Sequence, residues 1–282
     1  MSTTFPGAPA RTYDSEPTRT DPPSGRRRRT PTWQRWISPI AIVVVWQLAS
    51  TTGLLAEDEL ASPWRVVTAA VDVTRSGELP EGLAISLGRV VAGFLIGGLV
   101  GLVLGVWSGL SRWGGLIVDP PVQMLRTMPH LALVPLFILW FGVDETPKIL
   151  LVALGVLFPI YLNVHAGVRG VDPKLLEMAR VSGFDRREIL RHVVVPGALP
   201  SALTGLRLAL GIAWLSIVVA ETVSSDTGLG YMINNAREFL RTDVIVVGLV
   251  VYAVLGLGTD ALVRALERRA LRWRPTIAGT DS

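Results

Sequence analysis

The strongest constraint on this chain is a succession of apolar runs, each about as long as a bilayer is thick, separated by short polar stretches. A helix needs ~20 apolar residues to cross a hydrocarbon core. Half of the 282 residues are hydrophobic and 18% are charged, whereas a soluble domain is about one quarter charged. Only helices satisfy their own backbone in lipid, so the runs predict an all-α membrane protein with about six transmembrane helices. The predicted spans are Ile37–Leu55, Ser86–Trp107, Val118–Phe141, Ile149–Val168, Leu199–Ala220 and Val244–Val263.

The third predicted span is the least regular of the six. It is interrupted by Pro120, Pro121, Pro129 and Pro135. Because the carbonyl groups that these prolines leave free need partners in a membrane, the segment is expected to lie inside a helical bundle and not against lipid.

The distribution of Arg and Lys predicts the orientation of these spans. The net charge of +4 could suggest a nucleic-acid partner. The basic residues, however, collect in the N-terminal tail, in the loop around residues 169–191 and at the C-terminus. Cytoplasmic segments of membrane proteins are enriched in Arg and Lys. The sequence therefore predicts that both termini are cytoplasmic (N-in and C-in).

Composition also predicts the domain boundaries. Residues 1–36 are rich in Pro, Ser, Thr and Arg, which predicts a disordered cytoplasmic tail. A transmembrane domain is expected over residues 37–275, with a structured cytoplasmic loop at 169–196, and residues 276–282 are expected to form a short tail. The run Arg26–Arg29 resembles a twin-arginine export signal, but no small-residue cleavage site precedes the acidic stretch Glu57–Glu59. A basic anchor beside the first span is the preferred interpretation.

The residues that usually carry metal, redox or nucleophilic chemistry are scarce. The chain has no Cys, which excludes disulfides and thiolate sites. His130, His165 and His192 are far apart in sequence and are interpreted as packing or interfacial residues. The chain also lacks the G-x-x-x-x-G-K-[ST] phosphate loop. We therefore predict a non-catalytic protein without a metal or cofactor.

Two patterns predict local packing on the second span and before it. Gly93, Gly97, Gly101 and Gly105 recur at every fourth residue, which places them on one helix face and lets another helix approach closely. Before this span, Ser62 and Pro63 are typical of a helix start. A short surface helix is expected to begin there and to end at Ser76-Gly77.

The loop between the fourth and fifth predicted spans carries signals for two short helices. Asp172 followed by Pro is typical of a helix start, and Gly183 suits the left-handed residue that follows a helix end. Asp185 and Glu188 have the spacing of a capping box that opens a second helix. Pro196 is then expected to stop that helix or to bend it into the fifth span. A capped pair of helices would give another protein a rigid surface to bind.

The spacing of this loop resembles the loop motif of binding-protein-dependent ABC permeases. That motif has Glu, Ala two residues on, Gly six residues on, and an aliphatic-x-aliphatic-Pro ending nineteen residues on. The matching residues here are Glu177, Ala179, Gly183, Val193, Val195 and Pro196. Further likeness lies in the runs 125–142, 158–163, 196–200 and 235–243 and at Tyr231. Together these resemble the sulfonate, taurine and nitrate group of permeases, and most of all its aliphatic sulfonate members.

The resemblance implies a type I ABC importer permease fold, similar to the methionine importer, in a bacterial inner membrane. It implies a permease homodimer, two separate ATPase subunits that bind the loop around Glu177–Gly183, and an extracytoplasmic substrate-binding protein. The cargo implied is an aliphatic sulfonate or a related small organic anion, with taurine, nitrate or a small heterocycle as alternatives. A secondary transporter would carry inverted repeats, and an intramembrane enzyme would carry a catalytic cluster. Neither pattern is visible in the sequence.

Four charged residues lie within or beside the apolar runs. Arg89, Arg126 and Arg207 are candidate pore-lining residues for an anion, since a buried Arg in a membrane needs a partner or water. All three are drawn near span ends, so side chains that extend to the headgroups are the preferred interpretation. Glu221, at the end of the fifth run, is interpreted as an interfacial residue or as a contact to the binding protein.

Overall fold

The computed structural model describes residues 34–55 and 59–273. The predicted tails, 1–36 and 276–282, lie outside these residues, except that the first helix already begins at Gln34. The chain divides into two compact units, 1–44 and 45–282. Within the first unit, the described residues are the beginning of helix α1.

The described residues contain helices and connecting turns and no strand. The helices are α1 (Gln34–Thr51), α2 (Pro63–Arg75), α3 (Glu78–Leu110), α4 (Arg112–Thr127), α5 (Val134–Phe141), α6 (Glu145–Arg169), α7 (Pro173–Val181), α8 (Arg186–Ile189), α9 (Val195–Ser224), α10 (Leu229–Glu238) and α11 (Thr242–Ala270). A 3₁₀ turn at His130–Leu133 precedes α5, and a π-helical turn at Leu190–Val194 joins α8 to α9. The prediction of an all-α chain is confirmed.

Within residues 34–55 and 59–273, four helical segments are long and apolar enough to cross a membrane, where about six spans were expected. They are α3, α6, α11 and the continuous stretch from α8 through α9. A fifth is obtained if α4 and the segment His130–Phe141 form one span, although these two are bent by 84°. The apolar part of α1, Ile37–Thr51, is shorter than a full span.

The bend in the third predicted span has a local cause at Met128-Pro129. A residue before Pro is forced out of the helical region, and Met128 is extended (φ −77°, ψ 134°). Pro135 is tolerated because it lies in the first turn of α5. The Pro-rich segment was expected to lie inside the helical bundle, but the other helices of this chain do not enclose it. Met124 and Leu139 are 73% and 78% exposed.

Helices α3, α6 and α9 form the core of the protein. The α3 glycines Gly93, Gly97, Gly101 and Gly105 are all buried. A Cβ atom built on Gly93 would lie 2.6 Å from the Val152 Cβ, and one on Gly101 would lie 2.7 Å from the Leu157 carbonyl oxygen. One on Gly105 would lie 2.9 Å from the Tyr161 carbonyl oxygen. The backbones of α3 and α6 therefore approach each other closely along one glycine face.

Helices α2, α10 and α11 form a second apolar cluster. Its members include Val73, Leu229, Met232 and Val247. The predicted boundaries of α2 are confirmed: the Ser62 side chain accepts a hydrogen bond from the Arg65 N–H, and Gly77 has a positive φ. Two amphipathic helices thus cover the beginning of α11.

Candidate functional site

The loop between α6 and α9 contains the first of the two predicted helices. The Asp172 carboxylate accepts a hydrogen bond from the Lys174 N–H at 2.9 Å and caps α7. At the other end Gly183 has φ +82°. The Phe184 N–H donates to the Ala179 carbonyl, and the Gly183 N–H donates to the Arg180 carbonyl. This is the Schellman pattern of a glycine-terminated helix, so the predicted start and end of α7 are confirmed.

The second predicted helix opens with the expected capping box. The Glu188 N–H donates to the Asp185 carboxylate at 2.7 Å, and the Asp185 N–H donates to the Glu188 carboxylate at 2.8 Å. Pro196 does not stop the helix. Its ring and missing N–H are incompatible with a regular helical turn around the residues before it, and the chain widens into the π turn before α9 continues.

Three of the six motif residues of the loop line one groove. Ala179, Val193 and Pro196 border a cavity of about 340 Å³ together with Leu175 and Met178. Glu177 is exposed on α7, Val195 is exposed at the start of α9, and Gly183 lies at the end of α7. The loop therefore presents an apolar groove beside an exposed carboxylate.

A second candidate site surrounds Arg89, which does not extend to the surface. Its side chain is 3% exposed, and it binds two carboxylates. Arg89 Nε and Nη2 each donate a hydrogen bond of 2.5 Å to the Glu145 carboxylate, and Nη1 donates one of 2.7 Å to the Glu221 carboxylate. The backbone and side-chain oxygens of Thr227 accept further bonds at 2.9 Å. The Arg89 side chain is therefore paired inside the protein and does not extend to the lipid headgroups, as had been expected.

Glu221 is fully buried and joins three other helices to α9. Ser86 Oγ in α3 lies 2.8 Å from each carboxylate oxygen, and the Gly230 N–H of α10 donates at 2.9 Å. Tyr252 of α11 lies 3.5 Å away. Ser86 Oγ also accepts a bond from the Leu229 N–H. Glu221 thus faces the N-terminus of α10, where a negative charge is favoured.

Lys148 completes this cluster on the α6 side. Its Nζ lies 3.5 Å from Glu145 and donates to the Val143 carbonyl at 3.3 Å. The lysine side chain is 2% exposed, whereas that of Glu145 is 56% exposed. Two cations and two carboxylates therefore balance in charge, with Glu145 as the solvent-facing member. Sequence reasoning missed Glu145, because it follows Asp144 in what reads as a polar turn.

The two other candidate arginines differ from Arg89. Arg207 on α9 binds Asp260 and Glu267 of α11 at 3.2 and 2.6 Å, and its side chain is 41% exposed. Arg126 is exposed in the last turn of α4. Both side chains therefore lie at the surface of the chain.

Two of the three histidines bind hydroxyl groups inside the helical bundle. His165 contacts Ser108, which also lies 3.1 Å from the Tyr161 hydroxyl, and Tyr161 donates to Asp119. His130 lies 3.1 Å from Ser216. Among residues 34–55 and 59–273 the structure has no group of three His, Asp or Glu residues arranged to hold a metal.

These features define a helical protein with several candidate membrane spans and an ordered loop between α6 and α9. Residues 97–272 match the family described as "Binding-protein-dependent transport system inner membrane component". The chain belongs to this family and is the permease subunit of a binding-protein-dependent ABC importer.

Relatives with assigned names support the same family. The chain is 55% identical to the putative aliphatic sulfonates transport permease protein SsuC of Escherichia coli (strain K12), over 85% of this chain and 91% of that protein. It is 35% identical to the taurine transport system permease protein TauC of the same organism, over 82% and 86%. It is 30% identical to the nitrate import permease protein NrtB of Synechococcus elongatus, over 80% and 85%.

Solved structures confirm the predicted type I ABC importer fold. A chain of an amino acid ABC transporter superposes with a TM-score of 0.60 at 20% identity, covering 71% of this chain and 97% of that one. A chain of the MetNI methionine ABC transporter in an inward-facing conformation gives 0.50 at 21% identity, covering 72% and 96%. The expected likeness to the methionine importer is therefore confirmed for the fold.

Proposed function

We propose that the chain forms the translocation path for an aliphatic sulfonate or a related small organic anion. The observation that carries this proposal is the 55% identity to the SsuC permease over 85% of the chain. Similarity to taurine and nitrate permeases is lower. All three cargoes are small and oxyanionic, which is consistent with a permease whose described helices carry a buried Arg.

Energy for transport would come from separate ATPase subunits that bind the loop between α6 and α9, which contains α7 and α8 and is called here the α7–α8 loop. The exposed apolar groove and the adjacent Glu177 support this assignment. Caps at Asp172, Gly183 and Asp185 hold the loop in one shape, so a push from a bound subunit would reach α9 through the continuous α8–α9 connection. The permease itself would contribute no catalytic group.

The proposed topology places both termini and the α7–α8 loop in the cytoplasm. The concentration of Arg and Lys in these segments supports it. The Arg89 cluster then lies towards the outer face, where a binding protein would deliver the cargo. Two copies of the chain would enclose the path, since α4 and α5 expose apolar side chains in a single copy.

Uptake by the reconstituted complex tests the cargo. The permease, its ATPase and its binding protein would be reconstituted in liposomes and supplied with ethanesulfonate, taurine, nitrate or a cationic amine. Ethanesulfonate is expected to be taken up fastest. Preference for taurine or nitrate would change the cargo within the group, and preference for the amine would contradict the proposal.

A further inference from the structure

We propose that Arg89 is an anion-binding residue of the translocation path, and that Glu145 occupies its binding surface until an anionic cargo displaces it. The proposal rests on the proposed function, which makes the cargo an anion. It assigns Arg89 a direct contact to the transported molecule. It also makes Glu145 a competitor for that contact.

The geometry of the Arg89–Glu145 pair carries the first step. Nε and Nη2 of Arg89 reach the two Glu145 oxygens at 2.5 Å each, so the carboxylate is held by two parallel hydrogen bonds. The guanidinium fork binds planar or tetrahedral oxyanions in the same manner. A sulfonate group offers two oxygens to this fork and can replace the carboxylate without rearranging Arg89.

The two carboxylates that bind Arg89 are not equally free to leave. Glu221 is enclosed, with its side chain 0% exposed, and it holds Ser86 and the Gly230 N–H in addition to Arg89. Glu145 is 56% exposed in the first turn of α6. Its further partner is Lys148, at 3.5 Å. Glu145 can therefore rotate into water, while Glu221 keeps Arg89 in place.

Departure of Glu145 would leave Arg89 paired with one carboxylate, Glu221. The Nε–H group, and the Nη2 hydrogen that points to Glu145, would then lack an acceptor, while Nη2 keeps its bond to the Thr227 hydroxyl. Unpaired donors in a buried setting are costly. An anion that fills the fork restores the hydrogen bonds and the charge balance.

A cavity lies beside Glu145, the residue that covers the Arg89 fork. It has a volume of about 670 Å³ and is lined by Glu145, Lys148 and Asp144 together with Ser224 and Asp226. Binding sites for small molecules occupy about 300–1,000 Å³. The cavity therefore has room for a short alkanesulfonate once the Glu145 side chain has turned.

Direct titration of the permease–ATPase complex, without binding protein, tests the site. Ethanesulfonate would be titrated by calorimetry into wild type, Glu145→Gln, and Glu145→Gln combined with Arg89→Lys. Removal of the competing charge is expected to increase affinity about tenfold, in line with one charge-assisted hydrogen-bonded pair. The double variant should lose this gain, because Lys has no fork.

Matched variants control for charge and folding. Glu267→Gln removes a carboxylate that binds Arg207 near the surface and should leave ethanesulfonate affinity unchanged. Glu145→Asp keeps the competing charge and should bind close to wild type, which keeps the test decisive if the Arg89→Lys variant does not fold. Unchanged affinity in a folded Glu145→Gln complex, or a gain that persists in the double variant with Arg89→Lys, would overturn the proposal.

Parallel titration with sulfate separates this proposal from the proposed function. If the wild-type complex takes up no ethanesulfonate in liposomes, the sulfonate cargo is wrong. The Arg89 site is then judged on sulfate alone, which should also bind about tenfold more tightly to Glu145→Gln. If ethanesulfonate is taken up normally and neither anion gains affinity, only the Arg89 site is wrong.

Discussion

Gly97 of α3 lies so close to Ala153 of α6 that a Cβ atom on the glycine would overlap the Ala153 carbonyl oxygen. The neighbouring Gly98 is different, since a Cβ there would meet Phe94 and Val156 atoms at 3.8 and 3.9 Å, which is ordinary contact. The two adjacent glycines thus form a natural pair for comparison.

Gly97→Ala is expected to lower the melting temperature and the yield of the folded complex, because the added methyl group forces α3 and α6 apart. Gly98→Ala should be neutral or slightly stabilising, since Ala is favoured over Gly in a helix by roughly 1 kcal/mol. Thermal melting of the purified complex measures both. Equal melting temperatures for the two variants would contradict the close-packing interpretation.

Glu177→Lys is expected to weaken the association with the ATPase subunits while leaving the permease folded, since Glu177 is exposed on α7. Co-purification of the ATPase and its stimulated turnover provide the measurement. Asp72→Lys makes the same change of charge on an exposed residue of α2 and should leave both unchanged. Full ATPase association of the Glu177→Lys variant would remove Glu177 from the proposed surface.

Gly183→Ala is expected to destabilise the end of α7, because Gly183 has φ +82° and no neighbouring atom within 4 Å of an added Cβ. The cost is conformational and amounts to about 1 kcal/mol. Gly183→Asn should cost less, since Asn tolerates this backbone region better. Hydrogen exchange of the α7 amides provides the measurement. Faster exchange in the Gly183→Ala variant than in the Gly183→Asn variant is expected, and the reverse order would contradict the prediction.

Glu221→Gln is expected to destabilise the complex by about 1–3 kcal/mol, because it removes one of the two carboxylates that bind the buried Arg89. Glu267→Gln breaks the pair with Arg207, which is 41% exposed, and should cost no more than about 1 kcal/mol. Thermal unfolding in one detergent compares the two. Similar losses in both variants would show that burial does not set the strength of the Arg89–Glu221 pair.

The features predicted correctly from sequence are those set by neighbouring residues. The cap at Asp172, the left-handed Gly183 and the capping box of Asp185 and Glu188 depend on spacings of a few residues. The π turn before Pro196 was not predicted, because Pro is compatible with either a stop or a bend.

The Arg89 cluster could not be predicted, because it joins residues far apart in the chain. Glu145 and Glu221 are separated from Arg89 by 56 and 132 positions. The apolar run also suggested a start at Ser86, whereas α3 begins at Glu78, about three turns before Arg89. Similarly, α9 continues to Ser224 and carries Glu221 within the helix. Because the ends of α3 and α9 carry polar residues, the apolar runs are shorter than the helices themselves.

The glycine face of α3 also limits how the protein can move. Sliding α3 along α6 by one residue would bring a side chain against a backbone that accommodates only hydrogen atoms. The two helices are therefore expected to move together when the protein changes conformation. Relative motion would then occur elsewhere, for example at the 84° break between α4 and the segment that begins at His130.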